Sequence, residues 1–114
     1  MKVVVVGVCA SGKTTLVNSL KEFGIDAYNV AQEHSVIQRL WKRKNPDIVV
    51  VLDATLPIIK QRREIYWGEE GLLAQHERLK DAKLHANLYI QTDILGKKDV
   101  LQKVLTYIGR QSYD

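Results

Sequence analysis

Val3-Val4-Val5-Val6-Gly7-Val8-Cys9-Ala10-Ser11-Gly12-Lys13-Thr14-Thr15-Leu16-Val17 carries three kinds of local structure in succession. The four valines are β-branched and apolar on both faces, as in a strand buried inside a parallel sheet. Gly7 and Gly12 then bracket a loop. Beyond it Leu16, Val17, Leu20 and Phe23 fall at helical spacing, and Gly24 supplies a C-terminal stop. Strand, glycine-bracketed turn and amphipathic helix in direct sequence begin an α/β fold.

Gly7 to Thr14 also satisfies G-x-x-x-x-G-K-[ST] at every required position. Each requirement has a physical cause. The glycines let the backbone turn tightly and approach oxyanions with no Cβ in the way. Successive loop N–H groups form an anion nest, and the helix starting near Lys13 adds the positive end of its dipole. The expected ligand is therefore a nucleoside triphosphate, held by Gly7, Cys9, Ala10, Ser11, Gly12, Lys13, Thr14 and Thr15. Lys13 should reach the β- and γ-phosphates, the Thr14 hydroxyl should coordinate Mg2+, and Thr15 lies within reach of the α-phosphate. No Asn/Thr-Lys-x-Asp guanine-reading motif is present, which favours ATP over GTP. Cys9 is either a small loop residue or a redox-sensitive thiol beside an electropositive site.

Outward from this segment, strand-like and helix-like stretches alternate. Ile25 to Val30 reads as a short second strand, and a basic helix follows from about Ser35 to Lys44, with Val36, Ile37, Leu40 and Trp41 on its apolar side. Ile48 to Leu52 is a second run without polar interruption and ends at Asp53. Leu56 to about Ala86 is helical in character, broken near Trp67-Gly68 and again at Gly71. Leu88 to Ile90 is a last strand, and a final helix begins near Gly96 with Asp99 as capping partner. The expected fold is one domain over 1–114: a three-layer α/β/α sandwich with a parallel sheet of about four strands, the phosphate-loop strand central.

The 114 residues are enough to bury a substantial core without disulfides or a structural metal. Cys9 is the only cysteine, which fits a reducing cytoplasm. A lipoprotein reading of the apolar N-terminal run would modify Cys9, but Val8 stands where cleavage needs a small residue. No other run approaches a membrane span, so a cytoplasmic protein without membrane contact is expected. The net charge of +4 suits a polyphosphate ligand. Lys97-Lys98 reads as a solvated helix face.

Two acids are candidates to serve the metal. Asp53 ends a hydrophobic strand, the usual place for such a carboxylate; its surroundings equally suit a structural role. Glu33 follows the second strand, at the sheet edge where α/β proteins gather ligand groups, and is a candidate to orient a metal-bound water or accept an acceptor proton. Helix capping by Glu33 or Ser35 is the bland alternative, and His34 is a weaker candidate than Glu33. Arg62 and Arg63 are catalytic candidates because guanidinium forks match the charge that builds in phosphoryl transfer. Arg78 is another arginine on the following helix. Trp41, Tyr66, Trp67 and Tyr89 read as packing residues, and Gln91-Thr92-Asp93 ends the last strand beside the expected base pocket.

The order of phosphate loop, Pro46-Asp47 before a strand ending Leu52-Asp53, then Arg62-Arg63, then Tyr89-Ile90-Gln91-Thr92-Asp93 resembles the nucleoside/nucleotide (adenylate, thymidylate) and shikimate kinase superfamily. It looks closest to a compact group of prokaryotic P-loop proteins that carry an Ala-Gln-Glu-His-Ser segment, here Ala31 to Ser35. The resemblance covers most of the chain and implies ATP as ligand, with Lys13 and Thr14 in the roles given above. Those kinases usually insert a separate acceptor-binding region and an acidic motif where this chain has only about a dozen residues. The acceptor is then a small molecule or a macromolecule, or transfer has been lost. The expected function is a small kinase-like phosphotransferase acting on a nucleotide or other small molecule. The alternative is a nucleotide-binding regulator or simple NTPase. Nucleic-acid contact through Trp41 to Lys44 is a third and thinner reading.

Overall fold

The computed structural model describes residues 1–112. Strand β1 spans Lys2–Gly7, β2 Asp26–Asn29, β3 Ile48–Asp53 and β4 Leu88–Gln91. All pair in parallel in the order β2-β1-β3-β4. The two uninterrupted apolar runs are the inner strands because only there are both faces covered: β3 is buried at every residue, while β2 and β4 are mixed. The phosphate-loop strand is thus central, as expected.

Helix α1 spans Lys13–Glu22, α2 Leu56–Arg62, α3 Glu69–Leu84 and α4 Lys97–Ser112. The period of two along the strands divides the core into two halves. Val3, Val5, Val50 and Leu52 pack with Leu16, Leu20, Val100 and Val104 of α1 and α4. Val4, Val6, Val49 and Val51 pack with Trp41, Ile59, Leu72 and Leu79 on the opposite face. From β1 the chain steps one way to β2 through α1, then back across β1 to β3 and on to β4 over the other face. This exchange of faces with direction is what a single crossover hand demands. It places a switch point between the carboxyl ends of β1 and β3, the crevice where such sheets admit ligands.

Three local readings are corrected. Residues 35–44 are not one helix: 35–39 is irregular and Leu40–Lys44 is a 3-10 helix ending at left-handed Asn45 (φ 50°). Ser35 Oγ accepts the Ile37 N–H, and Gln32, fully buried, accepts the Trp41 N–H and donates to the Ile37 and Arg78 carbonyls. With side chains satisfying these groups, the α-helical bonds are not made. Trp41 is buried, but Val36 and Ile37 face solvent. Second, Gly71 lies inside α3 rather than breaking it; a Cβ there would stand 2.7 Å from that of Trp67, so glycine seats the indole. Third, Tyr66 is exposed rather than packed. The expected ends hold elsewhere: Gly24 (φ 77°) closes α1, and Asp99 Oδ2 accepts the Gly96 N–H at 3.0 Å at the start of α4.

Candidate functional site

The phosphate-loop motif forms the turn from β1 into α1. Gly7 is required by the sheet itself: a Cβ there would stand 2.3 Å from the Leu52 carbonyl oxygen and 2.8 Å from Ser11 Oγ. Gly12 is required by conformation, at φ 102°. Ala10 also adopts the left-handed region (φ 59°), at a cost of about 1–2 kcal/mol that no glycine relieves. The first N–H groups of α1, at Lys13, Thr14 and Thr15, have no intrahelical acceptor, and no side chain caps them. They lie where the helix dipole favours an anion.

Lys13 is nearly buried and folds back over the loop. Its Nζ donates to the Gly7 and Val8 carbonyls, both at 3.0 Å, and lies 2.6 Å from Glu33 Oε2. Glu33 sits in a short 3-10 turn, Gln32–His34, just beyond β2. It is 4% exposed, and its second oxygen, Oε1, is buried without a hydrogen-bond partner, as is Ser11 Oγ. An unpartnered buried carboxylate oxygen costs about 1–3 kcal/mol or more unless something donates to it. A cleft of about 380 Å3 opens over this pair, and its walls include Cys9, Thr14, Thr15, Asn29, Arg62 and Arg63. The side chain of Asn29, the last residue of β2, donates to Thr14 Oγ1 at 3.0 Å. A second hollow of about 250 Å3 lies across the loop, against Gly12, Thr15, Leu95, Lys97 and Val100. Lys97, expected to be merely solvated, is part of its wall.

Arg62 borders both spaces. Its guanidinium donates to the carbonyls of Ala10 (3.0 Å) and Thr92 (2.6 Å) and to Thr92 Oγ1 (3.0 Å), tying the loop to the end of β4. Thr92 Oγ1 is also within 3.0 Å of the Ser11 carbonyl, so one threonine braces the loop and β3 together. Burial works against ionised Asp93, yet it is held below the usual carboxylate range by the Thr55 N–H and the Gln91 amide, with the Arg62 charge assisting. Arg63 Nη1 lies 3.1 Å from Cys9 Sγ at the cleft rim.

Asp53 is placed differently from Glu33. Its carboxylate accepts the Ala54 N–H and the Tyr89 hydroxyl and lies 3.7 Å from His76 Nε2, on the α3 face of the sheet. It lines neither space beside the loop. Burial and the Asp53 hydrogen bond push the Tyr89 hydroxyl well above its ordinary range. Arg78 reaches the Glu33 carbonyl at 3.0 Å and so holds the acid's backbone rather than entering the cleft. His34 is exposed, 3.8 Å from Glu33 Oε2. Trp41 is buried against His85, with its indole N–H donating to Asp81, so it offers no face to a base. Asn29 and Gln75 were not foreseen. Gln75, buried on α3, accepts the Cys9 N–H at 2.8 Å and fixes the loop from below.

The arrangement therefore brings Lys13, Thr14, Thr15, Glu33, Arg62 and Arg63 together and leaves Asp53 outside. Donors at the helix start, a lysine ammonium held beneath the loop and one underused carboxylate suit a polyphosphate accompanied by a divalent cation. Among the described residues no cluster of three or more His, Cys, Asp or Glu could hold a metal alone. A magnesium ion carried chiefly by phosphate oxygens needs no such cluster. No helix among those residues is long and apolar enough to cross a membrane. No protein-family model matches this chain, and no curated protein matches it significantly.

Proposed function

We propose that the chain binds ATP with Mg2+ through Gly7 to Thr15 and transfers its γ-phosphoryl group to a small hydroxylated acceptor. The observation that carries this is the buried Lys13–Glu33 pair beneath the loop, in the wall of the cleft, with one buried carboxylate oxygen left unpartnered. A triphosphate in the loop draws Lys13 toward the β- and γ-phosphates, since it offers the ammonium more charge than one carboxylate does. Glu33 is then released. Its Oε1 accepts the acceptor's hydroxyl proton while the acceptor oxygen bonds to the γ-phosphorus and the bond to the ADP oxygen breaks. Arg62 and Arg63 at the rim stabilise the charge on the transferring group. Thr14, with Glu33 through the Oε2 that Lys13 vacates, would hold magnesium, which neutralises phosphate charge when bound and leaves Oε1 to take the proton. The hollow by Leu95 and Val100 suits the nucleoside.

A second reading, a nucleotide-binding regulator or simple NTPase, has its own support. Gln75 grips the loop and Arg78 grips Glu33, both from α3, so that helix feels any change in the site. A cytoplasmic location fits either reading.

The test is thermal stability with ATP, GTP, ADP or no nucleotide, each with Mg2+, for wild type and Lys13→Ala. ATP at a hundred times its dissociation constant should add about 2.7 kcal/mol. The increment, not the absolute stability, is compared, because Lys13→Ala alters the fold's own balance. Loss of the increment in the variant supports the site; no increment in the wild type ends the proposal. A screen of small hydroxyl compounds with γ-labelled ATP then separates transferase from regulator.

A further inference from the structure

We propose that Asn29 is a positioning residue: it sets the Thr14 hydroxyl for a divalent cation, and so governs how strongly nucleotide binding depends on that cation. The inference rests on the nucleotide-binding reading above.

A threonine hydroxyl rotates about its Cβ–Oγ bond, and in an exposed first helical turn water would satisfy it in any direction. Here the rotation is restricted. Asn29 Nδ2 lies 3.0 Å from Thr14 Oγ1 and can only donate, so it occupies one oxygen lone pair. The second lone pair and the hydroxyl proton remain, one for a cation and one for a phosphate oxygen. Asn29 is itself held, since its backbone pairs with Val5 in the sheet. Its carboxamide spans from β2 to the first turn of α1 across the mouth of the cleft. Glu33 gives independent reason to place a ligand there: it is buried, lines the same cleft and leaves Oε1 unpartnered. The cation side of the site is thus built at the end of β2, from Asn29 and Glu33, whereas Asp53 at the end of β3 serves the α3 face.

The experiment measures ATP affinity by calorimetry in EDTA and across a Mg2+ titration, for wild type, Asn29→Ala and Asn29→Asp. Asn29→Ala should weaken ATP binding more in Mg2+ than in EDTA and raise the Mg2+ midpoint about fivefold, the worth of one hydrogen bond. In Asn29→Asp the carboxylate accepts the Thr14 proton and adds charge. The Mg2+ midpoint should return to or below the wild-type value, while affinity in EDTA falls through repulsion of the triphosphate. Equal weakening of Asn29→Ala with and without Mg2+ would show a merely structural role, and no change in either would show none; both overturn the inference. Wild-type protein that binds no ATP under either condition would instead remove the underlying nucleotide reading, and this inference with it.

Discussion

The Lys13–Glu33 pair permits a quantitative test that needs no ligand. Both side chains are more than nine-tenths buried and 2.6 Å apart, so solvent screens them little. Lys13→Met keeps the alkyl stem and strands a buried carboxylate whose second oxygen already lacks a partner. Glu33→Gln strands the ammonium, though the Gly7 and Val8 carbonyls still receive it. Removing one member of a buried pair costs about 3–5 kcal/mol, of which Glu33→Gln should show the lower end. Independent effects would make the double variant lose more than about 6 kcal/mol. With no uncompensated charge left, it should instead lose about 3 kcal/mol or less, a coupling of roughly 3 kcal/mol. Urea unfolding of the four proteins at neutral pH measures this directly, and each single variant should melt on the order of ten degrees lower. Additivity within about 0.5 kcal/mol would refute the pair, and with it the account of Glu33 as an acid held in reserve by Lys13.

Gly7→Ala should destabilise the fold by roughly 1–3 kcal/mol or more, because the new methyl meets backbone that cannot rotate aside; urea unfolding with a cost below 0.5 kcal/mol would contradict the close approach of β1 and β3. His76 is held below its ordinary range mainly by burial, with Asp53 opposing and Lys83 assisting. Its lowered folded value means the unfolded chain takes the proton first as pH falls below about 6.5, so stability should drop there and level off once the folded form protonates. His76→Asn should flatten that part of the stability–pH curve, and an unchanged curve would assign the dependence to other groups. Arg62→Lys should weaken ATP binding by severalfold and lower stability by about 1 kcal/mol, since a lysine cannot reproduce three bonds to Ala10 and Thr92; calorimetry checks the first part and a urea curve the second.

Much of the fold was legible because β1 and β3 lack the alternation of half-exposed strands, and because α1 ends and α4 begins at a glycine signal. The segment 35–44 was not, because its apolar spacing imitates a helix while its hydrogen bonds run to Gln32, more than one turn away in sequence. The loop was readable residue by residue, since each motif position has a local reason. Choosing between Asp53 and Glu33 was not a local matter. Asp53 ends a strand and Glu33 follows one, but the period of two along β3 turns Asp53 to the face covered by α3, where Tyr89 and His76 arrive from distant sequence. Asn29 carried one available signal, a polar side chain near the carboxyl end of the strand read as Ile25 to Val30, which the structure ends at Asn29 itself. Gln75 carried none, since a glutamine on a helix ordinarily faces water.

Gln32 has a consequence for how the molecule opens. One carboxamide receives the Trp41 N–H and donates to the Ile37 and Arg78 carbonyls, replacing the ladder a helix would have shared among many residues. Order in residues 35–41 therefore leans on that side chain, beside the Ser35 Oγ and Asp81 contacts that hold the Ile37 N–H and the Trp41 indole, and hydrogen exchange there should report one shared opening rather than graded fraying. Gln32→Leu, close in volume, should speed exchange of the Trp41 amide, the one N–H that Gln32 accepts, while β1 and β3 keep their protection. Glu33 is the next residue along the chain, so the same event would loosen the buried carboxylate paired with Lys13, and local melting would reach the candidate site through one side chain.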